Sequence, residues 1–129
     1  MTATRDLKPR RVLVVEDEFL VSMDIQEMLA HLGCEVVGPC GDLDSALRQA
    51  AAPALDLALL DINIRGQPVT PVADALAARA VPFVFCTGYR VDQLTGRYPS
   101  APRLMKPFQI ADLDAAMRRV DLERAADRC

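Results

Sequence analysis

The chain has 129 residues, of which 51% are apolar and 26% charged, with a formal net charge of −3; this is the make-up of one ordinary globular domain large enough to bury a core. The mild acidity argues against nonspecific binding to nucleic acid or anionic membranes, and no apolar run approaches the ~20 residues of a spanning helix. Four cysteines, Cys34, Cys40, Cys86 and Cys129, form no CxxC pair, and with His31 the only imidazole they offer no metal-ligand rhythm.

A reducing cytoplasm is the simplest compartment for such cysteines, and the polar, basic start lacks the apolar stretch of a secretory signal. Residues 1–10 therefore read as a flexible leader. Arg11-Val12-Leu13-Val14-Val15 is a continuous apolar run typical of a strand buried on both faces, and it ends abruptly in Glu16-Asp17-Glu18. From Phe19 to Leu32, Val21, Ile25, Met28, Leu29 and Leu32 recur at helical spacing, and Gly33 stops the segment. Val36-Val37 reads as a short strand closed by Gly38-Pro39.

Asp42 is placed to cap a second helix carrying Leu43, Ala46, Leu47 and Ala50, which Pro53 ends. Leu55 to Leu60 forms a third strand running into Asp61. Gly66 and Pro68 mark a loop, and Pro71 suits the first turn of a third helix bearing Val72, Ala73, Leu76 and Ala77. Phe83-Val84-Phe85-Cys86 is a fourth strand ending at Thr87-Gly88. Between Tyr89 and Pro102, Gly96, Pro99 and Pro102 allow at most a short mobile helix near Val91 to Leu94. Arg103-Leu104-Met105 makes a brief fifth strand before Lys106-Pro107, and a last helix carries Ile110, Leu113, Met117 and Val120 on one face. Alternating strands and helices with short connections predict an α/β fold, a flavodoxin-like (βα)5 three-layer sandwich on a parallel sheet.

In such a fold the strand ends gather Glu16, Asp17, Asp61, Thr87 and Lys106 at one sheet edge, where open α/β folds place ligands. Each residue alone has a plainer reading. Glu16 and Asp17 serve equally as helix caps, an Asp ending a strand is ordinarily a turn residue, Lys106 fits a solvated loop, and Thr87 fits a strand. Together they make a site. The acids suit a hard cation such as Mg²⁺ or Mn²⁺, with Asp17 and Asp61 as direct ligands, Glu16 acting through water, and a backbone carbonyl near Asn63 completing the sphere. Asp61, set in an apolar stretch, is then placed to attack phosphorus and form an acyl phosphate. Lys106 and Thr87 would hold the phosphate oxygens, and Gly88 leaves room for the group to approach. Thirteen arginines stand against two lysines, so a lysine at position 106 suggests a need for a compact point charge.

With Val14-Val15-Glu16-Asp17-Glu18, Leu59-Leu60-Asp61, Thr87-Gly88 and Lys106-Pro107-Phe108 in that order, the chain from Arg11 to Val120 resembles a response-regulator receiver domain. The resemblance implies a sheet order of 2-1-3-4-5, a receiver over 11–120, and a C-terminal helix extension or tail over 121–129. It implies that Asp61 takes a phosphoryl group from a sensor histidine kinase, that Glu16 and Asp17 hold Mg²⁺, and that Thr87 and Lys106 read the phosphate. It also suggests that Asn63 and Tyr89 tune the lifetime of the phosphoryl bond. Where receivers usually carry an aromatic residue three places before the lysine, this chain has Arg103, which puts the usual Thr-to-aromatic switch aside. Pro82-Phe83-Val84-Phe85-Cys86-Thr87-Gly88-Tyr89 and Asp61-Ile62-Asn63-Ile64-Arg65-Gly66 resemble the FAT GUY receivers of alphaproteobacteria. Members of that subgroup are often single-domain partners of HWE/HisKA2-type kinases and have a poorly formed fourth helix.

The expectation is a stand-alone signalling module that performs its own phosphorylation and dephosphorylation, turns over no external metabolite, and contacts a downstream protein target or phosphotransfer protein. A phosphate sink or relay carrier, or an interaction module independent of phosphorylation, is the alternative. A phosphatase of the haloacid-dehalogenase type would need an acid two places after its nucleophile, and that place holds Asn63. Nucleotide or flavin binding is disfavoured because no Gly-rich phosphate loop appears.

Overall fold

The computed structural model describes residues 9–88 and 97–128, with side chains as far as Leu122. Residues 1–8 of the leader expected over 1–10, the expected short helix near Val91 to Leu94, and Tyr89 lie outside the described residues. Five strands, β1 (Arg11–Val15), β2 (Glu35–Cys40), β3 (Leu57–Asp61), β6 (Phe83–Thr87) and β7 (Arg103–Met105), form one parallel sheet in the order β2-β1-β3-β6-β7. Counting only these strands, that is the anticipated 2-1-3-4-5. Between β3 and β6 lies an antiparallel pair, β4 (Asn63–Ile64) and β5 (Gln67–Pro68), where the sequence suggested only a loop.

The four described helices are α1 (Phe19–His31), α2 (Leu43–Ala50), α3 (Thr70–Ala78) and α4 (Ile110–Arg128). Strand alternation sorts the core into two layers. Leu13, Leu60 and Phe85 pack with Ala46, Val72 and Leu76 on the α2/α3 side. Val14, Leu59 and Val84 pack with Ile25, Leu29, Leu113 and Met117 on the α1/α4 side. Strands buried on both faces explain why β1, β3 and β6 read as unbroken apolar runs.

Helix ends follow the sequence signals. Asp42 caps α2 by accepting from the Ser45 N–H at 2.8 Å, and Pro71 lies in the first turn of α3. Gly33, at φ 79°, follows α1, with its N–H bonded to the Ala30 carbonyl and the Cys34 N–H bonded to the Leu29 carbonyl, the two bonds of a Schellman cap. Strand β2 differs from its expected end. It continues through Gly38-Pro39 to Cys40, because a bulge between the Leu13–Val37 and Val15–Cys40 pairs takes both residues out of the ladder. Gly38 has φ 95°, and a Cβ there would stand 3.1 Å from the Val14 carbonyl oxygen.

Candidate functional site

The parallel register aligns the ends of β1, β3, β6 and β7, and the side chains of Glu16, Asp17, Asp61 and Lys106 meet there, with Thr87 at the end of β6. One carboxylate oxygen from each of Glu16, Asp17 and Asp61 lies within 4.8 Å of the other two. Lys106 reaches in from the end of β7, donating from Nζ to Glu16 Oε1 at 2.6 Å and to Asp61 Oδ2 at 3.1 Å. Thr87, buried at the end of β6, pairs with Met105, and its carbonyl accepts the Lys106 N–H at 2.7 Å. That bond fixes the backbone from which the ammonium extends. Gly88 faces open space among the described residues.

Glu16 is the most buried acid, 3% exposed. Its own N–H is held by the Cys40 carbonyl at 2.9 Å, and its Oε2 accepts from the Glu18 N–H at 3.1 Å. Burial pushes its carboxyl up from 4.5 to about 7, with the Asp61 charge adding to the rise and the Lys106 hydrogen bond opposing it. Burial draws Lys106 down, but its hydrogen bond to Glu16 and the neighbouring Asp61 charge outweigh that, so its net shift is upward and it stays cationic. Among the described residues Lys106 thus bonds two of the three acids, Glu16 and Asp61, and the deeper of the two resists ionising. A pocket of oxygen donors short of positive charge fits a hard divalent cation.

The β4–β5 hairpin supplies contacts that sequence reading missed. Arg65 at φ 52° and Gly66 at φ 80° form its two-residue connection, the two left-handed centres of a type I′ turn. The Arg65 N–H donates to Asp17 Oδ2 at 2.8 Å. Asn63 lies on the rung between the Val69 N–H to Ile62 carbonyl bond and the Ile64–Gln67 pair, so its backbone groups face away from β5. Its N–H points to Asp61 Oδ1 at 3.4 Å, and its carbonyl lies on that same side. Arg65-Gly66 carried a faint hairpin signal, but strands of two residues have no periodicity to detect.

Cys86, beside Thr87, is pushed up to about 12 by burial and is a packing group rather than a nucleophile. Arg103 is exposed on β7, donating to the Ala101 carbonyl at 3.3 Å. Around the rim, Phe19 and Leu20 are each 74% exposed, and Met23 and Met105 also reach solvent. No described helix is long and apolar enough to cross a membrane.

Residues 12–118 match the response regulator receiver domain. The chain is 36% identical over 113 residues to the transcriptional regulatory protein PdtaR of Mycobacterium tuberculosis, covering 84% of this chain and 55% of that one. It is 33% identical over 110 residues to the phyllosphere-induced regulator PhyR of Methylorubrum extorquens, covering 82% of this chain and 41% of that one. The chain thus spans about half the length of these curated relatives. The solution structure of SdrG from Sphingomonas melonis Fr1 superimposes with a TM-score of 0.78 at 39% identity, covering 85% of this chain and 94% of that one. A second SdrG structure, described as its BeF3-activated conformation, gives a TM-score of 0.70 at 40% identity, covering 83% and 94%.

Proposed function

Because this chain belongs to the response regulator receiver domain family, we propose that it is a phosphoacceptor module in which Asp61 takes a phosphoryl group from a sensor histidine kinase. The observation that carries this reading is the convergence of Glu16, Asp17, Asp61 and Lys106 at one sheet edge. Asp61 Oδ1 meets only the long contact from the Asn63 N–H among the described hydrogen bonds, while Oδ2 is held by Lys106. Oδ1 is therefore the oxygen placed to attack phosphorus, and Lys106 steadies the carboxylate in one rotamer. As the Asp61 O–P bond forms and the N–P bond of the kinase's phosphohistidine breaks, releasing the imidazole and leaving a mixed-anhydride acyl phosphate, Lys106 can transfer its hydrogen bond to a phosphate oxygen, and the Thr87 hydroxyl donates to another. Mg²⁺ or Mn²⁺, held by Glu16, Asp17, Asp61 and the Asn63 carbonyl, would neutralise charge on the transferred group.

The module works without turnover of an external metabolite, since Asn63 stands where a hydrolase of similar chemistry would need an acid. Phe19, Leu20 and Met23 follow the acidic loop directly and Met105 precedes Lys106, giving the kinase an apolar surface beside the site. The kinase is of HWE/HisKA2 type, a reading that rests on the resemblance of the segments 61–66 and 82–89 to the FAT GUY receivers. The module acts as a single domain, a reading in keeping with the 94% coverage of the SdrG chain, and signals through protein contacts in the cytoplasm, where its cysteines stay reduced. Beryllofluoride mimics a phosphoryl group, and the activated form of SdrG supports the same response here.

Incubation with Mg²⁺ and acetyl phosphate followed by intact-mass measurement tests the proposal. The wild type gains one acid-labile phosphoryl group and Asp61→Asn gains none. Equal labelling of the variant, or no labelling of the wild type by either acetyl phosphate or a kinase of this class, removes the reading.

A further inference from the structure

We infer that the β4–β5 hairpin is a positioning device for the cation site, and that the backbone N–H of Arg65 sets the orientation of Asp17. This rests on the proposed metal-dependent phosphoacceptor reading. The Arg65 N–H to Asp17 Oδ2 bond, 2.8 Å long, joins residues 48 apart in sequence, linking the loop after β1 to the segment after β3. It engages one carboxylate oxygen of Asp17 and leaves the other for a cation. At its base the hairpin is fixed by Ile64 and Val69, buried to 0% and 1% exposure, and by the Val69 N–H to Ile62 carbonyl bond at 2.9 Å. A short hairpin anchored in the core has little freedom at its tip, so the donor stays where the turn puts it. The same hairpin directs the Asn63 N–H toward Asp61 Oδ1. One rigid element therefore supplies a donor to two of the three acids and sets their spacing.

The turn is costly in a way that supports this role. Arg65 is not glycine, yet it holds φ 52°, a conformation that residues with a Cβ adopt only when their surroundings enforce it. The Asp17 bond is what that conformation secures. A carboxylate held in one rotamer before the cation arrives loses less freedom on binding, and donors behind metal ligands commonly account for 10–100-fold in affinity.

Gly66 gives a clean probe, because a Cβ added there meets nothing within 4 Å and only its φ of +80° opposes a side chain. Mg²⁺ titrations followed by backbone amide shifts would compare wild type, Arg65→Asn, Gly66→Asn and Gly66→Val. Asn tolerates left-handed backbone, so Arg65→Asn keeps the turn and its N–H while removing the guanidinium, and it should bind Mg²⁺ within about twofold of wild type. Gly66→Asn should lie near it. Gly66→Val, which strains the turn, should weaken Mg²⁺ binding about tenfold. In wild type the residue 65 amide should stay protected from exchange with Mg²⁺ bound, a readout that holds even if Gly66→Val fails to fold. Unchanged affinity in a folded Gly66→Val, an equal loss in Arg65→Asn, or release of the residue 65 amide as Mg²⁺ saturates would each overturn the inference while leaving the metal site standing. A wild type that binds no Mg²⁺ removes both.

Discussion

Glu16 is where the cost of building this site is concentrated. Its carboxyl is buried among other acids, and burial raises it from 4.5 to about 7. Between those values the folded protein keeps a proton that the unfolded chain has released. The folded state therefore binds more protons, and stability falls as pH rises through that window. In metal-free protein a rise of that size corresponds to roughly 3 kcal/mol, which solvent screening reduces. Urea unfolding of wild type and Glu16→Gln from pH 5 to pH 8 should show wild type losing ground to the variant as pH rises; parallel curves would mean that Lys106 compensates Glu16 fully. Lys106 acts in the same direction in a far more alkaline window: its shift is also upward, so its stabilisation is fully present below its ordinary value of 10.5 and is lost as pH rises through the higher folded value.

At the level of single elements, the α2 cap gives a separate pH signature. Asp42 is lowered below 3.8, first by the Ser45 backbone hydrogen bond and then by the Ser45 side chain. The stabilisation it supplies is present above 3.8 and disappears as pH falls through the folded value. Asp42→Ala should lower the thermal midpoint at neutral pH by about 4 °C, and Asp42→Asn should keep the cap while losing the acid-side dependence. A scan of both variants from pH 2.5 to pH 7 checks this. That cap was legible in sequence, as were Gly33 and Pro71, because each signal is local. Glu16, Asp17, Asp61, Thr87 and Lys106 were legible for another reason: parallel strands end on one side, so a charge terminating an apolar run marks the ligand edge. The β4–β5 hairpin escaped because Ile62, Ile64 and Val69 alternate too briefly to show a period, and its Arg65 bond to Asp17 spans 48 residues. The full length of β2 escaped because Gly38-Pro39 signals an ending, while the bulge that absorbs the pair depends on the register with β1.

For the whole molecule, the sheet divides the core into two layers that share strands but not side chains. Ile25 on α1, 2% exposed, and Ile64 on the hairpin, 0% exposed, lie in opposite layers. Ile25→Val and Ile64→Val should each cost about 0.5–1.5 kcal/mol and should sum in the double variant to within about 0.5 kcal/mol. Chemical denaturation of the four proteins measures this, and strong coupling would show that the two layers respond as one. The bulge at Gly38-Pro39 also matters beyond the fold. Strand β2 forms one margin of the sheet, where a proline without an N–H and a break in the ladder leave no long run of unpaired backbone. The opposite margin, β7, has three residues, with Arg103 and Met105 exposed. Among the described residues neither margin offers a flat template on which another copy could add a strand, so the same distortion that delivers the Cys40 carbonyl to the Glu16 N–H also guards the protein against edge-to-edge aggregation.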